Sequence, residues 1–330
     1  MSNQVHWLAQ ELIGRNHNVT CFSYSPKPVD AKYEHVQLVW KSASRIVRRF
    51  EPAIAFFGIR TAEFEILHFH GDDYLAAGAT NRVRTMYGSA FFEAVHARNI
   101  SRKFVQALFY FFELISCFKR GAVVAISDPT RGVLPRIRST IPCGVPLDIF
   151  VPGSDAAKTE YPSLLIIGDL TSRKRGAFAW EVFVNQIKKA IPDARLVVVG
   201  PQSCDGDGIE YLGAVSTPRL VAEYQRAWIF CMVSSYEGFG VPLIEAMACG
   251  TAVVAVQNGM AERIIKNTVN GLCVGHGKFG SSCISLLLNS SLRDSVRTAG
   301  LKTAQQYDIK NTAHQYEELY RSGLKRESAT

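Results

Sequence analysis

Glu237 and Glu245 flank the run Gly238-Phe239-Gly240-Val241-Pro242-Leu243-Ile244. An apolar stretch from Trp228 to Val233 precedes it and reads as a buried parallel strand. Pro242 suits the first position of a following helix, and Gly250 suits its end. The slot before Pro242 falls to Val241, a poor capping residue. The first helical amides then lack a side-chain partner. Beside a glycine turn they make an anion site, where the helix dipole favours phosphate. Glu237 is placed before this helix and Glu245 in its first turn. Carboxylates next to a phosphate are unfavourable unless they bind something else, such as sugar hydroxyls. For Glu245 alone a plainer role stays open, an acid that the helix dipole stabilises.

A second source of phosphate stabilisation is Arg173-Lys174-Arg175, in the turn between a strand ending at Leu170 and a helix starting at Gly176. A guanidinium meets phosphate through a two-pronged contact. A solvated basic turn is the alternative. In the first half, His68, His70, Asp72 and Asp73 gather at a strand end. These residue types can hold a metal, or they form a loop of satisfied polar groups.

Alternating strands and helices must position these groups. Strands are expected over 18–23, 35–40, 64–70, 82–87 and 122–127, with helices over 4–15, 42–50, 90–96, 104–117 and 128–136. The stretch from Ile141 to Pro152 has three prolines and no regular period, and reads as a linker. After it, strands fit 163–170, 195–200, 210–213, 228–234, 252–256 and 271–274. Helices fit 176–190, 217–226, 242–248, 260–266, 279–288, 292–307 and 311–321. Such alternation implies parallel sheets covered on both faces, with ligands at the strands' carboxyl ends. With 330 residues, two domains are expected.

Phe104, Leu108, Phe111, Ile115 and Phe118 recur at helical spacing between Arg102-Lys103 and Lys119-Arg120. The stripe reads as core. The alternative is an amphipathic helix lying on a membrane. No run reaches the ~18 apolar residues of a membrane span. The formal net charge is +8, spread along the chain without a nucleic-acid motif. No nucleic-acid partner is therefore expected, and a nucleoside diphosphate or a membrane surface suits the charge better. The eight cysteines show neither Cys-x-x-Cys nor zinc spacing, which implies reduced thiols in a cytoplasmic protein. The first residues lack the apolar core of a signal peptide. No Gly-x-Gly-x-x-Gly follows a first strand, which disfavours a dinucleotide oxidoreductase.

The run Glu237-Gly238-Phe239-Gly240-Val241, continuing through Glu245-Ala246-Met247-Ala248-Cys249-Gly250-Thr251, resembles the signature of retaining glycosyltransferases of family 4. In that family two glutamates bracket a glycine-rich turn on the GT-B fold. Gly144-Val145-Pro146-Leu147-Asp148 and Phe150-Val151-Pro152 resemble the family's junction before its second domain, and Asn258-Gly259-Met260-Ala261-Glu262 matches a further segment. The resemblance implies an α/β fold of two Rossmann-like domains, with parallel sheets facing a central cleft. The acceptor-side domain would cover 1–147 and the nucleotide-sugar domain 148–330, with a last helix near 311–325 packing back on the first. Family members open with a strand and a glycine-rich loop before their first helix. This chain begins inside that helix, so the first strand of the N-terminal domain is expected to be missing.

The resemblance further implies transfer of a hexose from a nucleoside-diphosphate sugar to a hydroxyl acceptor. The acceptor would be a carbohydrate or lipid-linked, in polysaccharide or glycolipid synthesis. Retention is expected, with no metal and no other cofactor. The protein would be cytoplasmic, with peripheral contact at the inner face of the membrane. Glu245 would hold the ribose hydroxyls and Glu237 those of the donor sugar. Arg175 stands in the family's lysine position before Gly176. The family's arginine after the strand's glycine is absent, since Asp169 follows Gly168, and Arg173 would replace its charge at the diphosphate, with Lys174 beside it as a substrate-binding residue. Gly238, Phe239, Gly240, Val241, Leu243 and Ile244 would line the donor. Tyr87 takes the place of a family histidine beside the donor sugar, and His70 would face the acceptor. Asp169, Tyr87 and the absent strand leave a non-catalytic sugar-nucleotide binder open. A sugar-nucleotide 2-epimerase, which shares the architecture, is the other alternative.

Overall fold

The computed structural model describes residues 2–44, 47–56, 59, 61–76, 81–97, 99–169, 174–201 and 206–327. The chain divides into two compact units, Met1–Gly144 with Ile309–Thr330, and Val145–Asp308.

The first unit runs α1 (Ser2–Gly14), β1 (Thr20–Ser23), β2 (Glu34–Gln37), α2 (Glu51–Ala55), β3 (Leu67–Phe69), β4 (Arg82–Met86), α3 (Ala90–His96), α4 (Ile100–Phe118), β5 (Ala122–Ala125), α5 (Asp128–Val133) and β6 (Ser139–Thr140). The strands form two separate sheets, β1-β2 and β3-β4-β5-β6, with every pairing parallel. No strand among the described residues joins them. The chain's last helix, Ile309–Glu327, belongs to this unit. Its Ala313 and Tyr316 pack with Leu8 and Leu12 of α1 and with Val124 and Ile141.

Two of the expected helices move for reasons of backbone chemistry. The helix expected over 42–50 is replaced by a short turn at Val47–Arg49 and by α2, where Pro52 lies in the first turn. Proline tolerates a helix start because its missing N–H has no helical partner there. The helix expected over 128–136 stops at Val133, because Leu134 precedes Pro135 and is forced extended.

The apolar stripe of α4 is a correction. It does not enter the core: Phe104, Leu108, Phe111 and Phe118 are exposed. The helix carries a second apolar face that packs inward instead. There Phe112 stacks on Tyr74 at 4.3 Å between ring centroids, and Cys117 joins Met86 and Val123 in the core. One surface helix cannot bury both faces.

The second unit runs β7 (Ser163–Ile167), α6 (Gly176–Val182), a wide turn into α7 (Lys188–Ala190), β8 (Arg195–Val199), β9 (Ile209–Gly213), α8 (Thr217–Arg226), β10 (Ile229–Met232), α9 (Val241–Ala248), β11 (Ala252–Val256), α10 (Ala261–Ile264), β12 (Leu272–Val274), α11 (Phe279–Leu288) and α12 (Ser290–Ala304). All six strands are parallel, in the order β12-β11-β10-β7-β8-β9. Leu164, Ile166, Val198, Cys231 and Val254 fill one core with Phe183, Phe279 and Leu286. Strands buried on both faces are apolar throughout, which is why they read as runs rather than alternations. After β7 the chain moves outward to β8 and β9. It then returns to β10 on the other side of β7. The carboxyl ends of β7 and β10 therefore form a topological switch point, where loops diverge and leave a crevice.

Candidate functional site

Two loops leave that switch point, one after β7 and one after β10. The first is held close by glycine. A Cβ on Gly200 would stand 2.2 Å from the Gly168 carbonyl oxygen, so the ends of β7 and β8 approach as only glycine permits. Gly168 has φ +137°, and a Cβ there would meet Lys174 Cγ at 2.7 Å. The Lys174 side chain thus lies across Gly168. Arg175 adopts a left-handed conformation, φ 54°, at the start of α6. Its guanidinium lies over the Phe178 ring, 5.0 Å from the centroid, and hydrogen-bonds His276 Nε2. Burial and the Arg175 charge lower the His276 pKa, so the imidazole stays neutral and accepts. Arg173 lies outside the described residues.

In the second loop Glu237 is buried, and Lys174 Nζ donates to its Oε1 at 2.7 Å. The two loops are therefore joined by an ion pair. Helix α9 starts one residue earlier than the sequence suggests. Gly240 is its N-cap, with φ 91°, and no side chain caps it. The capping position therefore falls to glycine rather than to Val241, and Pro242 sits second in the helix. Glu245 lies in the second turn, not the first, so the dipole of the first turn is not its main support. Of the first helical positions, Pro242 has no N–H, and the Leu243 N–H donates to Gly240 O at 2.9 Å. An anion here depends more on the Val241 N–H and the turn 238–240 than on the later amides of the helix's first turn.

Glu245 is buried, and Tyr224 donates its hydroxyl to Oε2 at 2.8 Å. Burial pushes the Glu245 carboxyl up to about 7, against the opposing effects of the Tyr224 hydrogen bond and the Lys174 charge. The acid is thus poised between neutral and ionised near neutral pH. Gly238 and Val241 are half-buried. Leu243 and Ile244 are 0% exposed, and Phe239 packs edge-on against Tyr307 at 5.6 Å. The side chains of these three belong to the core, and only their backbone can face a ligand. Asn258 donates to Ser234 O at 3.0 Å and accepts from Ala261 N at 2.8 Å, tying α10 to the end of β10.

In the first unit, His70 Nδ1 lies 2.9 Å from the Tyr87 hydroxyl. Burial, and secondarily Arg84, pushes His70 down to about 3, so it is neutral. His68 lies between the Tyr320 and Thr85 hydroxyls, at 2.7 and 2.8 Å. Asp73 accepts from Arg82 Nε at 2.5 Å and from Ser116 Oγ at 2.6 Å. That engagement makes it a satisfied polar group of the unit's interior. No cluster of three metal-ligating side chains occurs among the described residues. Ser127 is the N-cap of α5, and its hydroxyl shares a hydrogen bond with the Thr130 hydroxyl at 3.1 Å rather than capping a backbone amide.

Sequence reasoning missed Tyr224 and His276. Tyr224 lies in a helix of ordinary amphipathic pattern, and only the packing of α8 on α9 brings its hydroxyl to Glu245. The one available signal was a polar-tipped aromatic on a buried face, where a hydroxyl needs a partner.

Residues 152–303 match the family model of glycosyl transferases group 1. A phosphatidyl-myo-inositol mannosyltransferase of Mycobacterium tuberculosis (strain CDC 1551 / Oshkosh) is 27% identical over 214 residues, 56% of this chain and 55% of that protein. The chain spans about half the length of the curated relatives it matches. Sucrose-phosphate synthase from Thermosynechococcus elongatus is structurally similar, with a TM-score of 0.79 and 20% identity over 99% of this chain and 93% of that one. A glycosyltransferase from Rickettsia africae ESF-5 gives a TM-score of 0.72 at 19% identity, over 98% and 94%. These likenesses establish the fold as GT-B. Its second unit, with the paired glutamates around an open helix start, is therefore similar to the glycosyl transferases group 1 over residues 152–303.

Proposed function

We propose that the protein is a retaining hexosyltransferase that moves a sugar from a nucleoside diphosphate to a hydroxyl acceptor. The observation that carries this reading is the Lys174–Glu237 pair joining the two switch-point loops beside an uncapped helix start. Lys174, Arg175 and Arg173 oppose the charge that grows on the departing diphosphate, which is usually the largest catalytic term. Glu237 accepts hydroxyls of the donor sugar and holds Lys174 where it serves carboxylate and phosphate together. Glu245, set by Tyr224, accepts ribose hydroxyls. The leaving phosphate takes the acceptor proton on the same face, so no protein nucleophile is needed. His70 and Tyr87 are neutral groups suited to orienting hydroxyls rather than binding anions.

The cations of the β7 loop supply the charge that a metal would otherwise bring, and the reaction needs none. The acceptor is a carbohydrate or a lipid-linked hydroxyl, in glycolipid or polysaccharide synthesis. The named activity of the mycobacterial relative supports a lipid-linked acceptor. Contact with the inner face of the membrane is peripheral in this reading; no helix among the described residues is long and apolar enough to cross a membrane.

The test is a panel of nucleoside-diphosphate hexoses with and without acceptor, in the presence of a chelator, with the anomeric configuration of the product read by NMR. Transfer with retention that survives the chelator supports the proposal. Binding of a nucleoside diphosphate without turnover would identify a non-catalytic binder. Acceptor-free conversion of the donor sugar to its 2-epimer would identify an epimerase.

A further inference from the structure

We propose that the outer face of α4, with the basic groove at its end, docks on an anionic lipid bilayer. This gives the peripheral contact its surface. It rests on that part of the proposed function and not on the transfer chemistry. Ile100, Phe104, Leu108, Phe111 and Phe118 follow one another at intervals of three, four or seven residues, which puts them on one side of the helix. They are exposed by 73%, 73%, 45%, 56% and 62%. Phe91 and Val95 of the neighbouring α3 are exposed as well, and the Phe91 ring meets Tyr110 of α4 at 5.6 Å. A contiguous apolar face of this kind marks an interaction surface rather than ordinary scatter.

Charge selects the partner. Arg102 and Lys103 lie in the first turn of α4, where no acid is present. Cations there oppose the helix dipole, so the helix itself gains nothing from them. Arg102 reaches Glu93 at 3.3 Å, while Lys103 points outward, exposed. At the other end a cavity of about 520 Å³ is lined by Lys119, Arg120, Arg136 and Arg138. The Arg136 guanidinium lies over the Phe118 ring, 5.5 Å from its centroid, so the basic groove and the apolar face are continuous. Phenyl rings between two basic ends match a bilayer surface, where rings enter the acyl boundary and cations meet lipid phosphates. The helix lies along the surface, since its charged first turn and its inward Glu113 do not suit a span. The groove takes the phosphate headgroup of an anionic lipid.

The test is sedimentation of the full chain with vesicles of phosphatidylglycerol and phosphatidylcholine, and with phosphatidylcholine vesicles alone, in the absence of any sugar donor. Binding to the anionic vesicles is expected, with loss at high salt. The double variant F104S/F111S should lower partitioning at least about tenfold. The pair R136Q/R138Q should lower it by about fivefold for each residue on anionic vesicles only. Both variants change exposed side chains, and unchanged thermal melting confirms their folding. Equal binding by wild type and F104S/F111S would overturn the proposal. So would a wild type that ignores both vesicles, or one that self-associates through this face, with F104S/F111S becoming monomeric. None of these results bears on whether the second unit transfers sugar, which the donor panel reads separately.

Discussion

Tyr224 of α8 donates its hydroxyl to Glu245 of α9 at 2.8 Å, and both groups are buried. One helix thereby sets the orientation of a carboxylate on the next, before any ligand arrives. Replacing Tyr224 by Phe leaves that carboxyl without its donor. The expected loss is about 1–2 kcal/mol of stability at pH 8, read by urea unfolding. Nucleoside-diphosphate affinity should fall in parallel, since the acid is no longer oriented. Full affinity in Y224F would show that Glu245 is not set by this contact.

Glu245 also predicts a pH dependence. Its carboxyl, ordinarily near 4.5, is pushed up to about 7 in the folded protein, chiefly by burial. Between these values the folded state keeps a proton that the unfolded state has released. Stability from this group is therefore greatest below about 4.5, declines as pH rises to about 7, and then levels off. The whole change is at most about 3 kcal/mol. Glu245→Gln should flatten the curve, as followed by denaturant midpoints from pH 4.5 to 8.

Lys174 and Glu237 should behave as a coupled pair. Lys174→Met removes the lysine charge from the buried Glu237 carboxylate and should cost about 1–3 kcal/mol, allowing for the partly exposed lysine. Adding Glu237→Gln removes the carboxylate charge as well and should return part of that loss. Turnover should stay low in K174M, E237Q and the double variant, because each group is also proposed to act at the donor. A double-mutant cycle on both stability and kcat separates the two effects.

Arg82 provides a probe confined to the first unit. Its side chain is fully buried, bound to Asp73 at 2.5 Å and to Ser116 and the Arg120 carbonyl at 2.8 Å. Arg82→Met should destabilise that unit by about 3 kcal/mol by taking the nearer cation from buried Asp73, which keeps Ser116 and the more distant Arg84. Calorimetry should show one transition moved down and the nucleoside-diphosphate-stabilised transition in place.

Gly200 tests the geometry under the Lys174 loop. Gly200→Ala places a methyl group against the Gly168 carbonyl and should cost about 2 kcal/mol or more, with weaker nucleotide binding. Gly277→Ala meets open space and should change stability by no more than about 0.5 kcal/mol. Equal stabilities in the two variants would contradict the close approach of β7 and β8.

Much of the second unit was legible because burial on both faces leaves a plain mark. Runs such as Arg195–Val199 and Ala252–Val256 can scarcely be anything but central strands. The glutamate spacing around Gly238 and Gly240 was legible for a similar reason, since few sequences place two acids beside a glycine turn after a buried strand. The α4 stripe was misread because periodicity reports a face without saying which side of the helix meets the core. With apolar residues on both faces, the pattern alone cannot choose. The start of α9 was displaced by one residue because Gly240, in a left-handed conformation, caps as readily as it turns.

From its residues alone, the chain determined the alternation of strands and helices, an open helix start within one residue of its place, and the acids on either side of it. These follow from local propensity, burial and turn chemistry, all of which act over a few neighbours. Only the tertiary structure decided that Lys174 pairs with Glu237, that Tyr224 reaches Glu245 and shapes its acidity, and that the outer face of α4 stays in solvent. Those outcomes join residues tens of positions apart, or choose between two equivalent faces of one helix. The packing of whole elements settles them, not the order of the residues within each.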